Sequence, residues 1–145
     1  MTTIYLVACV KTKKKGMHKA KDLYCSPWFK KARNYVEKTM KQGDKWFILS
    51  AKHHLLPPDR KVSLYNKTLG QSGSRKWADE VLKQIQKHIS GGERIVVFAG
   101  DNYRKYIIEP LKILARNVKV PLEGKGFGKQ LHWFNLKLKP CRDRT

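Results

Sequence analysis

The amino-acid sequence predicts an α/β protein, a three-layer sandwich with a mostly parallel central sheet, folded as a single domain. Short apolar runs rich in β-branched residues alternate along the chain with segments whose apolar residues recur at helical spacing. The length of 145 residues is close to the commonest size of one domain. We expect this domain to span residues 1–138 and a loose polar tail to follow over residues 139–145.

Three apolar runs predict the central strands, over residues 4–10, 46–50 and 94–99. Each run contains few polar side chains, which is typical of parallel strands covered by helices on both faces. A fourth, shorter strand is predicted over residues 118–120.

Helices are predicted between these strands from their capping residues. Ser26 as N-cap and Pro27 at the first helical position begin the first helix. Ser74 is expected to cap the second helix, which closes at the glycines of residues 91–92. A third helix follows the third strand and is expected to bend at Pro110.

Three segments lack periodicity and are predicted to be irregular. Residues 51–59 are expected to form a loop, and residues 60–73 a surface excursion. Residues 124–129 contain three glycines that match neither dinucleotide-binding nor P-loop spacing. We interpret them as a flexible basic segment that can approach a phosphate backbone.

The charge of the chain indicates its partner. Thirty-two Lys and Arg residues face eleven Asp and Glu residues, giving a net charge of +21. Self-repulsion of this size destabilises a compact chain, so a polyanionic partner, a nucleic acid, is the simplest explanation. A lysine-rich composition that serves only solubility is the alternative. With 41% hydrophobic residues, the chain does not belong to the disordered class.

The cysteines indicate a reduced, cytoplasmic protein with no metal site. Cys9, Cys25 and Cys141 form an odd set without CxxC spacing, which fits neither a disulfide framework nor a zinc site. The first apolar run lacks the basic region of a signal peptide, and no apolar stretch approaches the roughly 20 residues that span a bilayer. We expect no cofactor and no membrane association.

The loops that leave the carboxyl ends of the predicted strands are rich in cations and hydrogen-bond donors. Ligands of open parallel sheets bind beyond these ends, so we expect the loops to meet in one anion site. The residues predicted to meet there are Lys11, Lys13, Ser50, Lys52, His53, Asp101, Tyr103 and Arg104. Some of them also fit a structural role: Lys11 and Lys13 as part of a solvated charge run, Asp101 as a helix cap and His53 as an incidental histidine.

Aromatic residues beside these cations suggest contact with bases. Tyr24 and Tyr65 lie outside the helical stripes and are expected to stack on an unpaired base. Trp28 and Trp77 follow helical spacing and are expected to pack in the core. Three further polar residues are expected to bind nucleic acid: Ser26, Lys129 and Gln130.

Several blocks in a fixed order resemble a family of small uncharacterised bacterial and phage domains, which is distantly similar to the peroxide-stress DNA-binding (YaaA-like) group. The resemblance covers about residues 4–136 and implies an α/β sandwich associated with DNA and similar to base-excising glycosylases. The sequence departs from the pattern at Asn66, where Asp is common, and at His54, where glycine is expected. The blocks span residues 8–9, 22–29, 48–56, 64–69, 98–104, 121–124 and 128–130.

The leading hypothesis is a DNA glycosylase that cleaves the N-glycosidic bond of a modified or damaged base. Lys11, Lys13, Lys52 and Arg104 would clamp phosphates around an extruded nucleotide. Asn66 or Asp101 would orient the attacking water, and His53 or His54 would donate a hydrogen bond to the leaving base. Attack by Lys52 or Lys13 through a Schiff base is the variant.

Two other functions fit the same residues. The first is a non-catalytic DNA- or RNA-binding accessory protein of a modification or defence system. The second is an enzyme that acts on a small phosphorylated nucleotide. The charge favours a polymer over a mononucleotide, and DNA is expected rather than RNA. The sequence leaves the oligomeric state open.

Overall fold

The computed structural model describes residues 2–138 and shows strands alternating with helices, as predicted. The expected tail over residues 139–145 lies outside the described residues. The strands are β1 (Thr3–Ala8), β2 (Met17–Lys19), β3 (Lys45–Ser50), β4 (His54–Leu56), β5 (Lys61–Ser63), β6 (Arg94–Phe98) and β7 (Asn117–Lys119). The helices are α1 (Ala20–Leu23), α2 (Pro27–Thr39), α3 (Ser74–Ile85), α4 (Asp101–Arg104), α5 (Ile108–Leu114) and α6 (Phe127–Leu138).

The central sheet has five strands in the order β4-β3-β1-β6-β7. All neighbouring strands are parallel except β4, which runs antiparallel to β3 at one edge. A separate antiparallel ribbon consists of β2 and β5. The prediction of a mostly parallel central sheet is therefore confirmed.

Helices cover both faces of the sheet and complete a three-layer sandwich. Alternate residues of β1 point to opposite faces, so Leu6 packs in one core and Val7 in the other. The first core is closed by residues of α3 and α5, and the second by residues of α2 and α6. Covering on both faces explains why the central strands are apolar along their whole length.

The beginning of α2 agrees with its sequence prediction. The Ser26 hydroxyl oxygen accepts a hydrogen bond from the Phe29 amide at 3.1 Å, and Pro27 occupies the first helical position. This capping fixes the point at which the chain turns from the carboxyl edge of the sheet into the helix.

Two segments predicted to be irregular contain strands. Residues 54–56 form β4 and pair with β3, so the expected loop over residues 51–59 is only partly correct. Residues 61–63 form β5 and pair with β2, within the predicted excursion. Strands of three residues carry little periodic signal, and pairing with a distant segment decides them.

Two helix predictions are also corrected. Ser74 is not the N-cap of α3; it is the first helical residue, after a 3₁₀ turn, and its hydroxyl donates to the Gln71 carbonyl at 2.9 Å. The helix expected after the third strand is two helices, α4 and α5, interrupted at residues 105–107 rather than bent at Pro110. Pro110 lies in the first turn of α5, where a missing amide hydrogen removes no helical bond.

The glycine-rich segment is shorter than predicted, because α6 begins at Phe127 and includes Gly128. Over residues 2–138, no helix has the length and apolar character needed to cross a bilayer.

Candidate functional site: a cavity at the carboxyl edge of the sheet

The sheet has a switch point between β1 and β6. These strands are neighbours, but the chain leaves β1 toward α2 on one face and leaves β6 toward α5 on the other. The loops therefore diverge beyond the carboxyl ends of β1 and β6 and leave a crevice between them. Open α/β sheets characteristically bind ligands in such a crevice.

A cavity of about 370 Å³ occupies this crevice. Cys9 follows β1 on one side and Tyr103 follows β6 on the other, and the Cys9 sulfur lies 3.1 Å from the Tyr103 hydroxyl oxygen. We call this space the Cys9 cavity. It is lined by Ala8, Cys9, Val10, Ser26, Trp28, Gly100, Tyr103, Phe127 and Gln130.

One wall of the Cys9 cavity is held in place by Gln130. Its side-chain oxygen accepts a hydrogen bond from the Trp28 indole nitrogen at 2.8 Å, and its amide nitrogen donates to the Lys125 carbonyl at 2.8 Å. Gln130 thus joins α2, α6 and the glycine-rich segment. Phe127 is 65% exposed at the first position of α6, so an apolar ring stands at the cavity with most of its surface in solvent.

A second group of side chains lies close enough to Cys9 for Cys9 to affect the pKa values of Lys13, Tyr24 and Tyr65, and we call it the tyrosine cluster. The Tyr65 hydroxyl shares hydrogen bonds with the Tyr24 hydroxyl and, at 2.9 Å, with the Ser50 hydroxyl. The Lys13 ammonium lies 4.5 Å from the Tyr65 ring centroid, and the Lys52 ammonium lies 5.8 Å from it. The loops after β1 and β3 therefore meet here, as the sequence predicted.

Burial determines the electrostatics of the tyrosine cluster. It raises the pKa of Tyr24 to about 12 and raises the pKa of Tyr65 further, with Cys9 adding to the increase at Tyr65. Both phenols are therefore neutral near pH 7. Burial also lowers the pKa of the Lys13 ammonium, against an opposing effect of Cys9 and with a further decrease from Lys11. Lys13 loses its proton more readily than an ordinary lysine.

The two histidines lie in different surroundings, although the segment that holds them is a turn over residues 51–53 that leads into β4 and is not the expected extended loop. The His53 ring packs edge-on against the Tyr65 ring, with centroids 5.4 Å apart. The His54 ring lines a different cleft of about 630 Å³ beside α3, and its backbone has a φ of 62°. Burial lowers the pKa of both imidazoles, so both are neutral near pH 7.

Asp101 and Arg104 do not join the tyrosine cluster. The Arg104 guanidinium donates to the Asp101 carboxylate at 2.7 Å and to the Ala99 carbonyl at 3.2 Å. Both residues line a separate groove that also includes Lys105 and Glu123. The expected meeting of Arg104 with Lys11 and Lys52 in one cation site is not seen, because Arg104 is turned toward the carboxylate of its own helix.

Tyr24, Ser50 and Tyr65 are too deeply buried to make the nucleic-acid contacts that the sequence suggested for them. Tyr24 is 2% exposed, Ser50 0% and Tyr65 7%, so a polymer on the surface cannot stack on these rings. The Ser50 hydroxyl oxygen also accepts from the amides of Lys52 and His53. These three buried residues form hydrogen bonds that position the loops.

The remaining candidates lie on the surface or at the cavity. Lys11, Asn66 and Lys129 are exposed, and the Lys11 carbonyl accepts a hydrogen bond from Lys13 at 3.1 Å. Ser26 and Gln130 line the Cys9 cavity while their side chains also cap α2 and bind Trp28.

Sequence reasoning missed two aromatic walls of the cavity. Trp28 was assigned to the core by its helical spacing, and it does pack edge-on against Phe134 while its indole also lines the cavity. Phe127, between two glycines, is not among the predicted site residues. A large aromatic residue within a glycine-rich segment was the available signal.

Among residues 2–138, no group of three or more His, Cys, Asp and Glu side chains is placed to bind a metal ion.

The fold and the cavity define a three-layer α/β domain with a candidate ligand site at the switch point of its sheet. The chain belongs to the family of unknown function DUF6884, whose model matches residues 4–136. It is similar to the uncharacterized protein YfjM of Bacillus subtilis (strain 168), with 33% identity over 124 residues that cover 83% of this chain and 80% of the relative. No solved structure matches the chain significantly.

Proposed function

We propose that the protein binds DNA along the carboxyl edge of its sheet and takes one unpaired base into the Cys9 cavity. The observation that carries this proposal is the composition of the cavity at the switch point. Phe127, which is 65% exposed, offers the face of its ring, whereas Trp28 is only 9% exposed and Tyr103 is half-buried, so these two contribute parts of the wall; Ser26 and Gln130 add polar groups. Aromatic faces stack on any base, and a few polar groups select its edge.

The size of the cavity supports a small planar ligand. A volume of about 370 Å³ is near the lower end of the range of small-molecule sites, which suits one nucleotide unit better than a large cofactor. The net charge of +21 far exceeds what one nucleotide requires and favours a polymer. Lys13 lies close enough to Cys9 for Cys9 to affect its pKa, and Lys52 shares the Tyr65 ring with it, so both could bind phosphates next to an inserted base.

The proposal includes the distant relationship to the peroxide-stress DNA-binding group that the sequence blocks suggest. It does not include water activation by a carboxylate. The described side chains that line the Cys9 cavity include no carboxylate, Asp101 is paired with Arg104, and Asn66 is exposed. Base binding is therefore better supported than hydrolysis by the scheme with Asn66 or Asp101.

Oligonucleotide binding tests the proposal. A labelled single-stranded DNA with 2-aminopurine at one position reports affinity by anisotropy and unstacking of the base by fluorescence. We expect binding with an increase in 2-aminopurine fluorescence. Phe127→Ala should weaken binding about 10-fold, since stacking on one base contributes about 1–3 kcal/mol. Leu136→Ala is the matched control, because Leu136 is a 58% exposed apolar residue of the same helix outside the cavity lining.

Three outcomes would contradict base binding. The first is that the wild-type protein binds no oligonucleotide. The second is that Phe127→Ala and Leu136→Ala bind equally well, and the third is that a mononucleotide binds as tightly as the polymer. The last result would favour an enzyme on a small phosphorylated nucleotide. RNA of the same sequence, tested in parallel, decides between DNA and RNA.

A second candidate function, a glycosylase that uses Lys13, is favoured by the lowered pKa of this partly buried lysine, whose ammonium lies 4.5 Å from the Tyr65 ring centroid. The Lys13 amine would attack C1′ of the sugar, the bond from C1′ to the base would break, and the base would take the electron pair and the proton that the amine loses. The sugar ring would then open as the C1′–O4′ bond breaks, O4′ would take the remaining amine proton, and a C1′=N imine would form.

Borohydride trapping separates binding from this chemistry. Borohydride reduces the imine to a stable amine, so the glycosylase reaction predicts a covalent protein–DNA adduct with a panel of modified bases. Lys13→Arg keeps the charge but cannot form the imine, so it should retain DNA binding and give no adduct. A wild-type protein that binds DNA and forms neither adduct nor free base has no glycosylase activity on the panel.

A further inference from the structure

The ribbon of β2 and β5 stands apart from the central sheet. Its register places Met17 opposite Ser63, His18 opposite Val62 and Lys19 opposite Lys61. Side chains of successive residues alternate between the two faces of such a ribbon. The ribbon therefore has one face with the His18 and Val62 pair and another with the other two pairs.

One face of the ribbon is anchored and the other is free. Val62 is 4% exposed and packs in the core on the α2 side of the sheet. Met17, Lys19, Lys61 and Ser63 are exposed, with Met17 at 64%. The outer face thus combines an exposed apolar side chain with two lysines.

The two lysines of the outer face lie directly opposite each other. Like charges at directly opposite positions destabilise an antiparallel pair, whereas opposite charges stabilise it. The pair of Lys19 and Lys61 is therefore unfavourable for the isolated ribbon, and a polyanion over this face would reverse the effect.

The carboxylates next to the ribbon offset its charge only in part, because Lys21 is the main cause of the lowered Asp59 pKa and Lys19 a lesser one. Asp59 pairs with Lys21 at 2.9 Å, and Asp22 pairs with Arg33 at 2.7 Å. Among the described residues, the outer face of the ribbon carries no carboxylate of its own. Its positive charge is available to a partner.

The ribbon is continuous with the tyrosine cluster. Lys13, which lies over the Tyr65 ring, is followed by two exposed lysines at residues 14–15 and then by β2. Tyr65 comes two residues after the end of β5. The end of the ribbon that carries Met17 and Ser63 therefore adjoins the tyrosine cluster, and the basic surface runs from one to the other.

We propose that the outer face of the β2–β5 ribbon docks in the major groove of duplex DNA beside the Cys9 cavity. This inference rests on the proposed DNA-binding function. The major groove of B-form DNA is about 12 Å wide and admits a two-stranded β-ribbon. Lys19 and Lys61 bind phosphates, and Met17 makes apolar contact with base edges such as thymine methyl groups. The deep, narrow major groove of A-form RNA does not admit the ribbon.

A charge reversal with opposite effects on binding and stability tests the docking. Lys61→Glu places opposite charges across the ribbon, so the free protein should keep or increase its melting temperature. Its dissociation constant for a short DNA duplex should rise about 10-fold, and the slope of log K against log salt should fall by about 1–2. Lys19→Glu, on the other strand, should reproduce both results.

Lys87→Glu is the matched control for net charge. Lys87 is exposed in the connection that precedes β6, at the amino edge of the sheet. We expect it to bind the duplex within about 2-fold of the wild-type protein, because a distant exposed charge is screened beyond the Debye length of about 8–10 Å.

The outcomes separate this inference from the function on which it rests. If the wild-type protein binds single-stranded and duplex DNA, but Lys61→Glu and Lys87→Glu weaken duplex binding equally, ribbon docking is overturned and the proposed function stands. Equal affinity for duplex RNA and duplex DNA also overturns it. If the wild-type protein binds no nucleic acid, both proposals fail.

Discussion

The Cys9 sulfur and the Tyr103 hydroxyl oxygen lie 3.1 Å apart, so one hydrogen bond joins the segment after β1 to the segment after β6. These two residues are 94 positions apart in the chain. The Tyr103 ring also packs edge-on against Trp77, with centroids 5.2 Å apart, which fixes its orientation. The contact joins the two sides of the Cys9 cavity beyond the carboxyl ends of two central strands.

Removal of this hydrogen bond should reduce stability moderately. Tyr103→Phe keeps the ring against Trp77 and deletes only the hydroxyl, so we expect a loss of about 1 kcal/mol in the free energy of unfolding. Urea denaturation of Tyr103→Phe, Cys9→Ala and the double variant measures the coupling. Strictly additive losses would show that the two side chains do not interact.

Gln130→Ala should loosen the wall of the Cys9 cavity. The substitution deletes an acceptor for the Trp28 indole and a donor to the Lys125 carbonyl, so we expect a loss of about 1–2 kcal/mol. Gln130→Glu retains the acceptor for Trp28 but places a carboxylate oxygen against the Lys125 carbonyl oxygen, so it should also be less stable than the wild-type protein. Denaturation curves on which Gln130→Ala is as stable as the wild-type protein would mean that the two hydrogen bonds contribute nothing.

Lys13 should react with amine reagents before most other lysines. Its pKa is lowered chiefly by burial, so at about pH 8 a larger fraction is the neutral, nucleophilic amine. Brief treatment with limiting acetic anhydride, followed by peptide mass spectrometry, ranks the lysines. Exposed Lys38 on α2 serves as the reference. Labelling of Lys38 ahead of Lys13 would contradict the assignment.

Three histidines should make stability depend on pH below about 6.5. Burial lowers the pKa values of His53, His54 and His88 in the folded protein, so the unfolded chain binds protons first as the pH falls. The free energy of unfolding is therefore highest above about pH 6.5, where the imidazoles are neutral in both states. It decreases as the pH falls through the lowered pKa values of the folded protein. Urea unfolding across this range should show the decrease, and His88→Gln should reduce its slope.

Glu93 should control stability in more acidic solution. Hydrogen bonds from the Ser90 amide and hydroxyl and from the Gly91 amide lower the pKa of its carboxyl from 4.5 to about 2. This stabilisation, up to about 3 kcal/mol, is present above pH 4.5 and is lost as the pH falls toward 2. Glu93→Gln should cost about 2 kcal/mol near pH 7 and little near pH 2. A constant cost at all pH values would refute the charge-based explanation.

The sequence predicted the central strands well because their apolar character has one physical cause. A strand buried on both faces must be apolar at nearly every position, so residues 4–10 closely anticipated β1. The N-cap at Ser26 is equally local, since one hydroxyl and one amide three residues later define it. Local causes of this kind can be recognised without the fold.

The short strands could not be predicted because their partners are distant. β5 pairs with β2, more than 40 residues earlier, and neither has a sequence signal of its own. For the same reason, the sequence predicted the candidate site only in part. Lys13 and Lys52 were expected to lie close together from the parallel sheet, but the burial of Tyr65 between them depends on three loops packing together.

The assignment of Trp28 shows the limit of helical periodicity. A residue on the apolar stripe of α2 faces inward, but the stripe does not show whether a neighbouring element fills the space beyond it. That depends on α6, which approaches Trp28 through Gln130. A residue that lines a cavity and a residue buried in the core can therefore show the same helical spacing in the sequence.

The position of β1 at the middle of the sheet has a consequence for synthesis. β1 precedes both strands that flank it, β3 and β6, so its two backbone edges stay unpaired until those later segments emerge from the ribosome. An apolar strand with open edges is a site of aggregation, and contacts between remote segments form slowly. Nascent chains that stall before residue 94 would expose this edge, and a chaperone that covers extended apolar segments should increase the yield of native protein.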